Sequence, residues 1–371
     1  MSSSTLWFGD LRNVTSAWEC TRRGIPVLPS NPCDITGRPA NYPRLWLLPS
    51  HLGLGQGDTF ALGLAICGLF LLAAVVVVPA GARLRLGAVY ALALCSPAAM
   101  LGVERGNVDL ILFVLVVAGV LAAQRSARGV VAGGAWVLLA ALLKLFPVFS
   151  VAFLFRRASR VALATAYAVL ALFAVYAIAL HRQLHEVLTA VPQVDTFSYG
   201  VRRVSEWTGT VAREAVSSRF QSFRAWDVVL VVAAIGLGLL LSSRLRSRGA
   251  ERGRELDLFW AGAAVYVCTY AVARSFDYRL VFLLATVPQL VRWAGTSHTA
   301  RLALVALVAA MWFDEWTRPP LIGGVLDAWT RLTAVGPDAQ ALSVPVVAQY
   351  VLFVTLIAFL VATRPFVVRS D

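Results

Sequence analysis

The segment Glu104-Arg105-Gly106-Asn107-Val108-Asp109 separates two apolar runs, residues 86–103 and 110–123. Each run has the composition of a membrane helix, and Gly106-Asn107 is typical of a turn. Because the second run begins directly after the turn, Asn107 and Asp109 are expected near a helix N-terminus, where backbone N–H groups and the helix dipole favour an anion. With the charge of Arg105 beside it, the turn predicts a phosphate site. The alternative is a capped turn with a local Glu104–Arg105 ion pair.

The composition excludes an ordinary soluble domain. Of the 371 residues, 59% are hydrophobic and 14% are charged, and the mean hydropathy is +0.73. A net charge of +13 would suggest nucleic acid in a soluble protein, but here the basic residues punctuate apolar runs, so membrane topology explains them. The sequence contains no P-loop, no Rossmann fingerprint and no zinc ribbon. We therefore expect no cofactor, no metal site and no nucleic-acid partner.

Eleven apolar segments predict an all-α, polytopic bundle of about eleven transmembrane helices. Several segments are shorter than the roughly 20 residues of a straight crossing, so some helices are expected to be broken or tilted. Residues 130–155 are interpreted as two crossings, and one helix kinked at Lys144-Leu145-Phe146-Pro147 is the alternative. The segments are approximately 58–80, 86–103, 110–123, 130–143, 146–155, 161–180, 228–242, 257–273, 278–292, 302–313 and 344–363.

The distribution of arginine sets the predicted orientation. One set of short loops is rich in Arg, which the positive-inside rule places in the cytoplasm. The opposite loops are longer and hold most of the acidic residues. We predict an extracytoplasmic N-terminal loop at 1–57 that carries site residues, and a transmembrane helical domain at 58–371. Within that domain, an extracytoplasmic loop at 181–227 includes a stretch at 201–223 with the composition of interfacial helices.

Residues 1–57 contain no membrane span, signal peptide or transit peptide, although this topology places them outside. The simplest explanation is a first transmembrane helix upstream of Met1, which would make twelve. A translocated N-terminal tail is the alternative.

The N-terminal loop is dense in Asp, Arg, Asn, Tyr and Trp, unlike an ordinary connector. Asp10 and Asp34 are both candidate general bases, and a turn or cap carboxylate is the alternative for each. We favour Asp10, since Asp34 lies in mid-loop, where it is better placed to shape the loop. Arg38, Tyr42 and Arg44 are candidate contacts to phosphate or sugar hydroxyls, and interfacial snorkelling is the alternative for the two arginines.

Three further groups of residues are candidates. Cys20 and Cys33 share the outer loop, and an oxidising compartment permits a disulfide between them. His181 and His185 lie four residues apart, on one helix face. Two ligands do not make a zinc site, so phosphate or acceptor binding and a solvated helix end remain.

Lys144, the only lysine, lies near the predicted outer boundary. It is a candidate partner of a lipid phosphate, with snorkelling as the alternative. The segment Ser275-Phe276-Asp277-Tyr278-Arg279 is another polar stretch at an outer helix end. Its residues Asp277, Tyr278 and Arg279 are candidate contacts to a sugar or an acceptor.

These motifs together resemble glycosyltransferase family 87, the polyprenol-phosphate-mannose-dependent mannosyltransferases of the GT-C superfamily. The resemblance is carried by Asp10, by Asn41-Tyr42-Pro43-Arg44-Leu45-Trp46, by the segment at 104–109, and by Leu143-Lys144-Leu145-Phe146-Pro147 followed by Arg156-Arg157. The common family motif has Tyr-Pro-Pro where this chain has Tyr42-Pro43-Arg44. The resemblance implies a GT-C membrane fold, with Asp10 at the position of the catalytic Asp that follows the first transmembrane helix.

The implied reaction agrees with the interpretation of the residues. The donor is a polyprenyl-phosphate sugar, most simply mannose, and the acceptor is a lipid or a glycan at the outer face of the cell membrane. A carboxylate takes the proton of the acceptor hydroxyl while that oxygen attacks the anomeric carbon. Cations and a helix N-terminus stabilise the departing phosphate. Inversion follows from the resemblance, and no metal is required.

Two other classes of function compete with this interpretation. A transporter or lipid flippase would place polar groups near the midplane and commonly contain repeats, whereas this chain shows no repeat and keeps its polar residues towards one face. A relative that has lost activity and serves as an assembly partner is the other alternative.

Overall fold

The computed structural model describes residues 7–157, 159–190, 198–204, 223–243, 245, 253–272, 275–312 and 343–364. Within these ranges the chain is mostly helical, and its two strands contain two residues each. The predicted all-α class is confirmed for this part of the chain.

Most of the α-helices follow the apolar segments of the sequence, but those at Gly9–Arg22 and His181–Thr189 lie outside them. The α-helices are α1 Gly9–Arg22, α2 Thr59–Val77, α3 Leu84–Leu94, α4 Pro97–Arg105, α5 Asp109–Ala123, α6 Ala127–Leu143, α7 Ala152–Arg156, α8 Arg160–Ala179, α9 His181–Thr189, α10 Phe223–Ser243, α11 Arg254–Val272, α12 Val287–Ala294, α13 His298–Trp312 and α14 Ser343–Ala362. Stretches of 3₁₀ helix occupy Arg44–Leu52, Gln56–Asp58, Phe146–Val151 and Asp277–Thr286. The strands are β1 Ser198–Tyr199 and β2 Ser275–Phe276.

Few of these helices are long enough to cross a membrane as single rods. In the described residues, three are sufficiently long and apolar: Gln56–Val77, Arg160–Ala179 and Pro345–Ala362. The bent pair α3 and α4 would be a fourth if it forms one span. The chain therefore has the helices of a membrane protein, but the predicted count of about eleven crossings is not confirmed.

The predicted break within residues 130–155 has a local cause. Helix α6 ends at Leu143, and Lys144 has an extended backbone with φ −159° and ψ 129°. The 3₁₀ helix Phe146–Val151 then begins with Pro147 in its first turn, where a proline costs no hydrogen bond. Two helical segments therefore flank Lys144.

The chain divides into two compact units. The first contains Met1–Val77 and Met100–Gln193, and the second contains Val78–Ala99 and Val194–Asp371. The chain passes from one unit to the other three times, and one of these boundaries, between Ala99 and Met100, falls within α4.

The first unit contains the N-terminal region, which is more regular than an extended loop. Helix α1 buries Leu11, Val14 and Trp18, and the indole Nε1 of Trp18 donates to the carbonyl oxygen of Trp46. Helices α5 and α6 approach closely at two glycines, because a Cβ on Gly119 would lie 2.9 Å from the carbonyl oxygen of Gly133. Small residues thus permit tight helix packing here.

In the second unit, β1 and β2 pair antiparallel, with Ser198 opposite Phe276 and Tyr199 opposite Ser275. Aromatic side chains fill the interior, including Trp293 stacked on Phe359 at 4.6 Å between ring centroids. Part of the predicted extracytoplasmic loop at 181–227, and most of the interfacial stretch at 201–223, lies outside the described residues.

Candidate functional site

The turn at 104–109 ends one helix and begins the next. Gly106 follows α4 with φ 57°, a left-handed conformation that glycine adopts without cost. Its N–H donates to Val103 at 3.1 Å, and the N–H of Asn107 donates to Gly102 at 2.9 Å. This is the Schellman arrangement, which satisfies the last carbonyl groups of a helix. It makes Arg105 the last residue of α4 and leaves Asn107 between the two helices.

Asp10 is the acidic residue that this turn holds. Arg105 donates from Nε to Oδ2 at 2.9 Å and from Nη2 to Oδ1 at 2.6 Å. The side-chain amide of Asn107 donates to Oδ2 at 2.6 Å. A bidentate arginine and a third donor fix both the position and the plane of a carboxylate. Arg105 therefore forms an ion pair with Asp10.

Arg38 joins Asp10 to Asp34. Its Nη1 lies 3.8 Å from Oδ1 of Asp10, and its Nη2 lies 3.2 Å from Oδ2 of Asp34. Arg38 also donates to the carbonyl oxygen of Gly9 at 2.7 Å. The N-terminal loop is thus tied to the first residues of α1.

Asp34 has the contacts of a turn carboxylate. Its Oδ1 accepts from the backbone N–H of Thr36 at 2.9 Å and from the Thr36 hydroxyl at 2.6 Å. Asn13 donates to Oδ2 at 3.3 Å. Burial acts to raise the pKa of Asp34, but the hydrogen bonds from Thr36 and the charge of Arg38 outweigh it, so the pKa lies below its ordinary value. Asp34 is therefore ionised at neutral pH, and both of its carboxylate oxygens accept hydrogen bonds.

Asn107 links this cluster to a second ion pair. Its Oδ1 accepts from the backbone N–H of Asp109 at 2.9 Å, at the start of α5. Asp109 is fully buried, and its Oδ1 lies 2.6 Å from Nζ of Lys144. Asn107 thus connects two ion pairs, Asp10–Arg105 and Asp109–Lys144, through its side-chain hydrogen bonds.

Aromatic rings surround Lys144. Its Nζ lies 5.4 Å from the centroid of Tyr42 and 5.8 Å from that of Phe146, within range of cation–π attraction. Trp46 packs against Tyr42 and donates its indole N–H to the carbonyl oxygen of Leu143 at 2.8 Å. Leu143 precedes Lys144, so the segment containing Tyr42 and Trp46 is held against the lysine.

A disulfide joins Cys20 to Cys33, with 5.8 Å between the Cα atoms. Cys20 is completely buried with Ala17, Val27 and Ala40 in a small apolar cluster. This bridge connects the C-terminal part of α1 to the loop that carries Asp34 and Arg38.

Several other predicted residues make fewer contacts. Glu104 and Arg44 are exposed, and Arg44 has no ion pair within the described part of the chain. His181 and His185 are exposed on α9, with Nδ1 of His181 3.0 Å from the carbonyl oxygen of Ile178. In the described part of the chain, neither histidine forms a hydrogen bond or an ion pair with Asp10, Arg38 or Arg105.

Asp277, Tyr278 and Arg279 belong to the second unit. Asp277 is buried at the start of a 3₁₀ helix. Arg279 donates to the Ser275 hydroxyl at 2.9 Å, and Tyr278 stacks on Phe276. The contacts of Tyr278 and Arg279 described here are thus with residues of β2.

No group of three or more His, Cys, Asp or Glu residues that could hold a metal ion occurs among the described residues. One open cavity of about 480 Å³ lies between the N-terminal loop and the end of α9. Its lining residues are Leu28, Pro29, Pro39, Glu186, Thr189 and Ala190.

Three residues that support the site were assigned no individual role from the sequence, although Trp46 belongs to the motif at 41–46 that carries the family resemblance. Phe8 packs against the turn through Gly106, Asn13 donates to Asp34 and to the carbonyl oxygen of Arg38, and Trp46 docks beside Lys144. The spacing of Leu11, Val14 and Trp18 at i, i+3 and i+7 is a helical signal that could have revealed α1 and, with it, the place of Asn13.

In the first unit, three donors orient the Asp10 carboxylate, which lies beside the partly exposed side chains of Arg105 and Arg38. The side chains of Arg105 and Arg38 are 42% and 37% exposed, while that of Asp10 is 11% exposed. Such a carboxylate can accept a proton from a bound hydroxyl, and the adjacent cations can stabilise a negative leaving group.

Comparison with known proteins identifies the family. The model of glycosyltransferase family 87 matches residues 45–272, more than half of the chain. The matched range includes the turn at 104–109 and Lys144, whereas Asp10 and Asp34 precede it. No curated protein and no solved structure matches. The chain belongs to glycosyltransferase family 87.

Proposed function

We propose that this member of glycosyltransferase family 87 transfers mannose from polyprenyl-phosphate mannose to a lipid or glycan acceptor, with inversion, at the extracytoplasmic face of the cell membrane. The observation that carries the proposal is the Asp10 carboxylate held by Arg105 and Asn107 of one turn. That turn lies within the range matched by the family.

In the proposed reaction, the acceptor hydroxyl oxygen attacks the anomeric carbon of the donor. The bond between that carbon and the phosphate oxygen breaks, and the hydroxyl proton passes to Asp10. Polyprenyl phosphate leaves with the bonding electron pair. Arg105 and Asn107 support this role for Asp10, because a base must be held within hydrogen-bond reach of the hydroxyl it deprotonates.

The charges of the site bear on how the donor binds. Asp10, Asp34 and Asp109 carry three negative charges, and Arg38, Arg105 and Lys144 carry three positive charges. The positive and negative charges of the site are therefore equal in number. A phosphate that binds there must interact with cations that are already paired with carboxylates. In our proposal Arg105 and Lys144 bind the phosphate, and the exposed guanidinium of Arg44 supplies additional positive charge.

The position of Tyr42 supports the proposal that the sugar or its phosphate binds next to Lys144. Its ring lies over the lysine ammonium, and Trp46 fixes the backbone of the same segment to the end of α6. An aromatic ring can pack against the apolar face of a sugar while its hydroxyl group forms a hydrogen bond. Asp277, Tyr278, Arg279, His181 and His185 are proposed as further contacts to the donor or the acceptor.

The test is an assay of purified full-length protein with a panel of polyprenyl-phosphate sugars, followed by mass spectrometry of the lipid products. We expect a product that is one hexose heavier than the acceptor with polyprenyl-phosphate mannose, and none with nucleotide sugars. Transfer from a different polyprenyl-phosphate sugar would correct the donor. Movement of a lipid or solute in proteoliposomes without any product would replace the proposal by a transporter or flippase.

A further inference from the structure

Phe8 adopts an unusual backbone conformation immediately before α1. Its φ is 58° and its ψ is 47°, and it is the single non-glycine residue with positive φ in the described ranges. The Cβ atom makes this left-handed conformation costly for an L-amino acid, so it persists only where the surroundings hold it.

Three contacts hold Phe8 in place. Its backbone N–H donates to the carbonyl oxygen of Glu104 at 3.1 Å. Its side chain is buried, and its ring lies 6.0 Å from that of Phe60 between centroids. The ring also occupies a slot made by two glycines from different elements, Gly63 of α2 and Gly106 of the turn.

Neither glycine can be replaced by a residue with a side chain unless Phe8 moves. A Cβ on Gly106 would lie 2.9 Å from both Cβ and Cδ1 of Phe8, and a Cβ on Gly63 would overlap the ring. The positive φ of Gly106 already requires glycine, so the same residue serves both the helix end and the packing of Phe8.

Phe8 therefore contacts the backbone on either side of Arg105 and directly precedes the helix that carries Asp10. It lies two residues before Asp10, and it contacts Glu104 and Gly106, which flank Arg105. We propose that Phe8 is a positioning residue that fixes the start of α1 against the turn at 104–109, so that the Asp10 carboxylate meets Arg105 and Asn107 in the reactive geometry. This inference rests on the proposed role of Asp10 as the general base.

The test compares turnover in Phe8→Ala with that in a matched variant, Phe70→Ala. Phe70 is a fully buried phenylalanine of the same unit that packs on Phe113 and does not contact the site. Transfer of radiolabelled mannose from polyprenyl-phosphate mannose is measured on protein whose folding has been checked by thermal unfolding. We expect kcat to fall by about 10²-fold in Phe8→Ala with donor KM little changed, because a displacement of about 1 Å can cost that much. We expect Phe70→Ala to lower thermal stability while kcat remains close to that of the wild type.

A double-variant cycle separates positioning from general packing. If Phe8 acts through Asp10, Phe8→Ala causes no further loss of kcat in an Asp10→Asn background. If Phe8→Ala does not fold, Phe8→Leu replaces it and is expected to show a smaller loss that also vanishes in Asp10→Asn.

The outcomes distinguish this inference from the proposed function. Wild-type kcat in Phe8→Ala, or losses that multiply with those of Asp10→Asn, overturns the role of Phe8 alone. Wild-type turnover in Asp10→Asn overturns the proposed base and, with it, this inference.

Discussion

Arg105 donates two hydrogen bonds to the Asp10 carboxylate, of 2.9 Å from Nε and 2.6 Å from Nη2, although the two residues are 95 positions apart in the sequence. The contact joins the N-terminal region to the turn at 104–109. Arg105 therefore orients Asp10, the proposed base, in addition to any contact that it makes with a substrate phosphate.

Replacement of Arg105 tests this double role. Arg105→Gln is expected to lower the rate by about 10²–10³-fold, because one charge-assisted contact to a leaving group contributes about 2–4 kcal/mol to transition-state stabilisation. Arg105→Lys should recover part of the activity, since it keeps the charge but not the bidentate geometry. Arg23→Gln is the control, because Arg23 pairs with Glu19 at an exposed position directly after the end of α1. Near-normal turnover in Arg105→Gln would remove the arginine from the site.

The Lys144–Asp109 pair is expected to matter for stability as well as for binding. Asp109 is fully buried, so Lys144→Met removes the ammonium group that pairs with its carboxylate, and breaking a buried pair typically costs about 3–5 kcal/mol. The double variant Lys144→Met/Asp109→Asn should be less destabilised than the sum of its single variants. Denaturation in detergent measures all three, and strictly additive losses would show that the two side chains are not coupled.

The Cys20–Cys33 disulfide is expected to stabilise the N-terminal region. It closes a short loop, with a sequence separation of 13, and chain entropy predicts a contribution of about 3 kcal/mol. Cys20→Ser/Cys33→Ser should therefore expose the region before the apolar helices unfold, which limited proteolysis of residues 20–40 detects. Peptide mapping without reductant provides the direct check, and two free thiols in protein from oxidising membranes would refute the bridge.

Asp34 should give the N-terminal loop a defined dependence on pH. Its pKa in the folded chain lies below the ordinary value of 3.8, so its stabilising contribution is complete at neutral pH and is lost as pH falls through the folded pKa. Asp34→Asn should be less stable than the wild type at pH 7, and the difference should shrink below about pH 4. A difference in unfolding temperature that is constant from pH 7 to pH 3 would contradict this account.

The sequence predicted helices wherever it was strongly apolar. Residues 58–80 and 161–180 correspond closely to α2 and α8. The turn at Gly106-Asn107 was also predicted, because glycine and asparagine between two apolar runs are typical of a turn. Helix α1 was not predicted, since its polar composition hides the buried spacing of Leu11, Val14 and Trp18.

The site was less accessible to sequence reasoning than the helices. Charge type identified Asp10, Arg105, Asp109 and Lys144 as candidates, but nothing local in the sequence shows which carboxylate meets which cation. Those pairings depend on contacts over 95 and 35 residues of chain. The slot that Gly63 and Gly106 form for Phe8 is likewise a tertiary feature, which each glycine alone does not reveal.

The choice of Asp10 over Asp34 as the general base is the central claim, and one comparison of turnover tests it most directly. Asp10→Asn keeps the size of the side chain but cannot take the acceptor proton, so kcat should fall by about 10²-fold or more while donor binding is largely kept. Asp34→Asn should mainly reduce stability, because the Asp34 side chain is 2% exposed, against 11% for Asp10, and its hydrogen bonds to Thr36, Arg38 and Asn13 shape the loop. Both variants are measured with polyprenyl-phosphate mannose under single-turnover conditions. The account predicts an inactive Asp10→Asn and an active Asp34→Asn, and wild-type rates in Asp10→Asn together with an inactive, folded Asp34→Asn would contradict it.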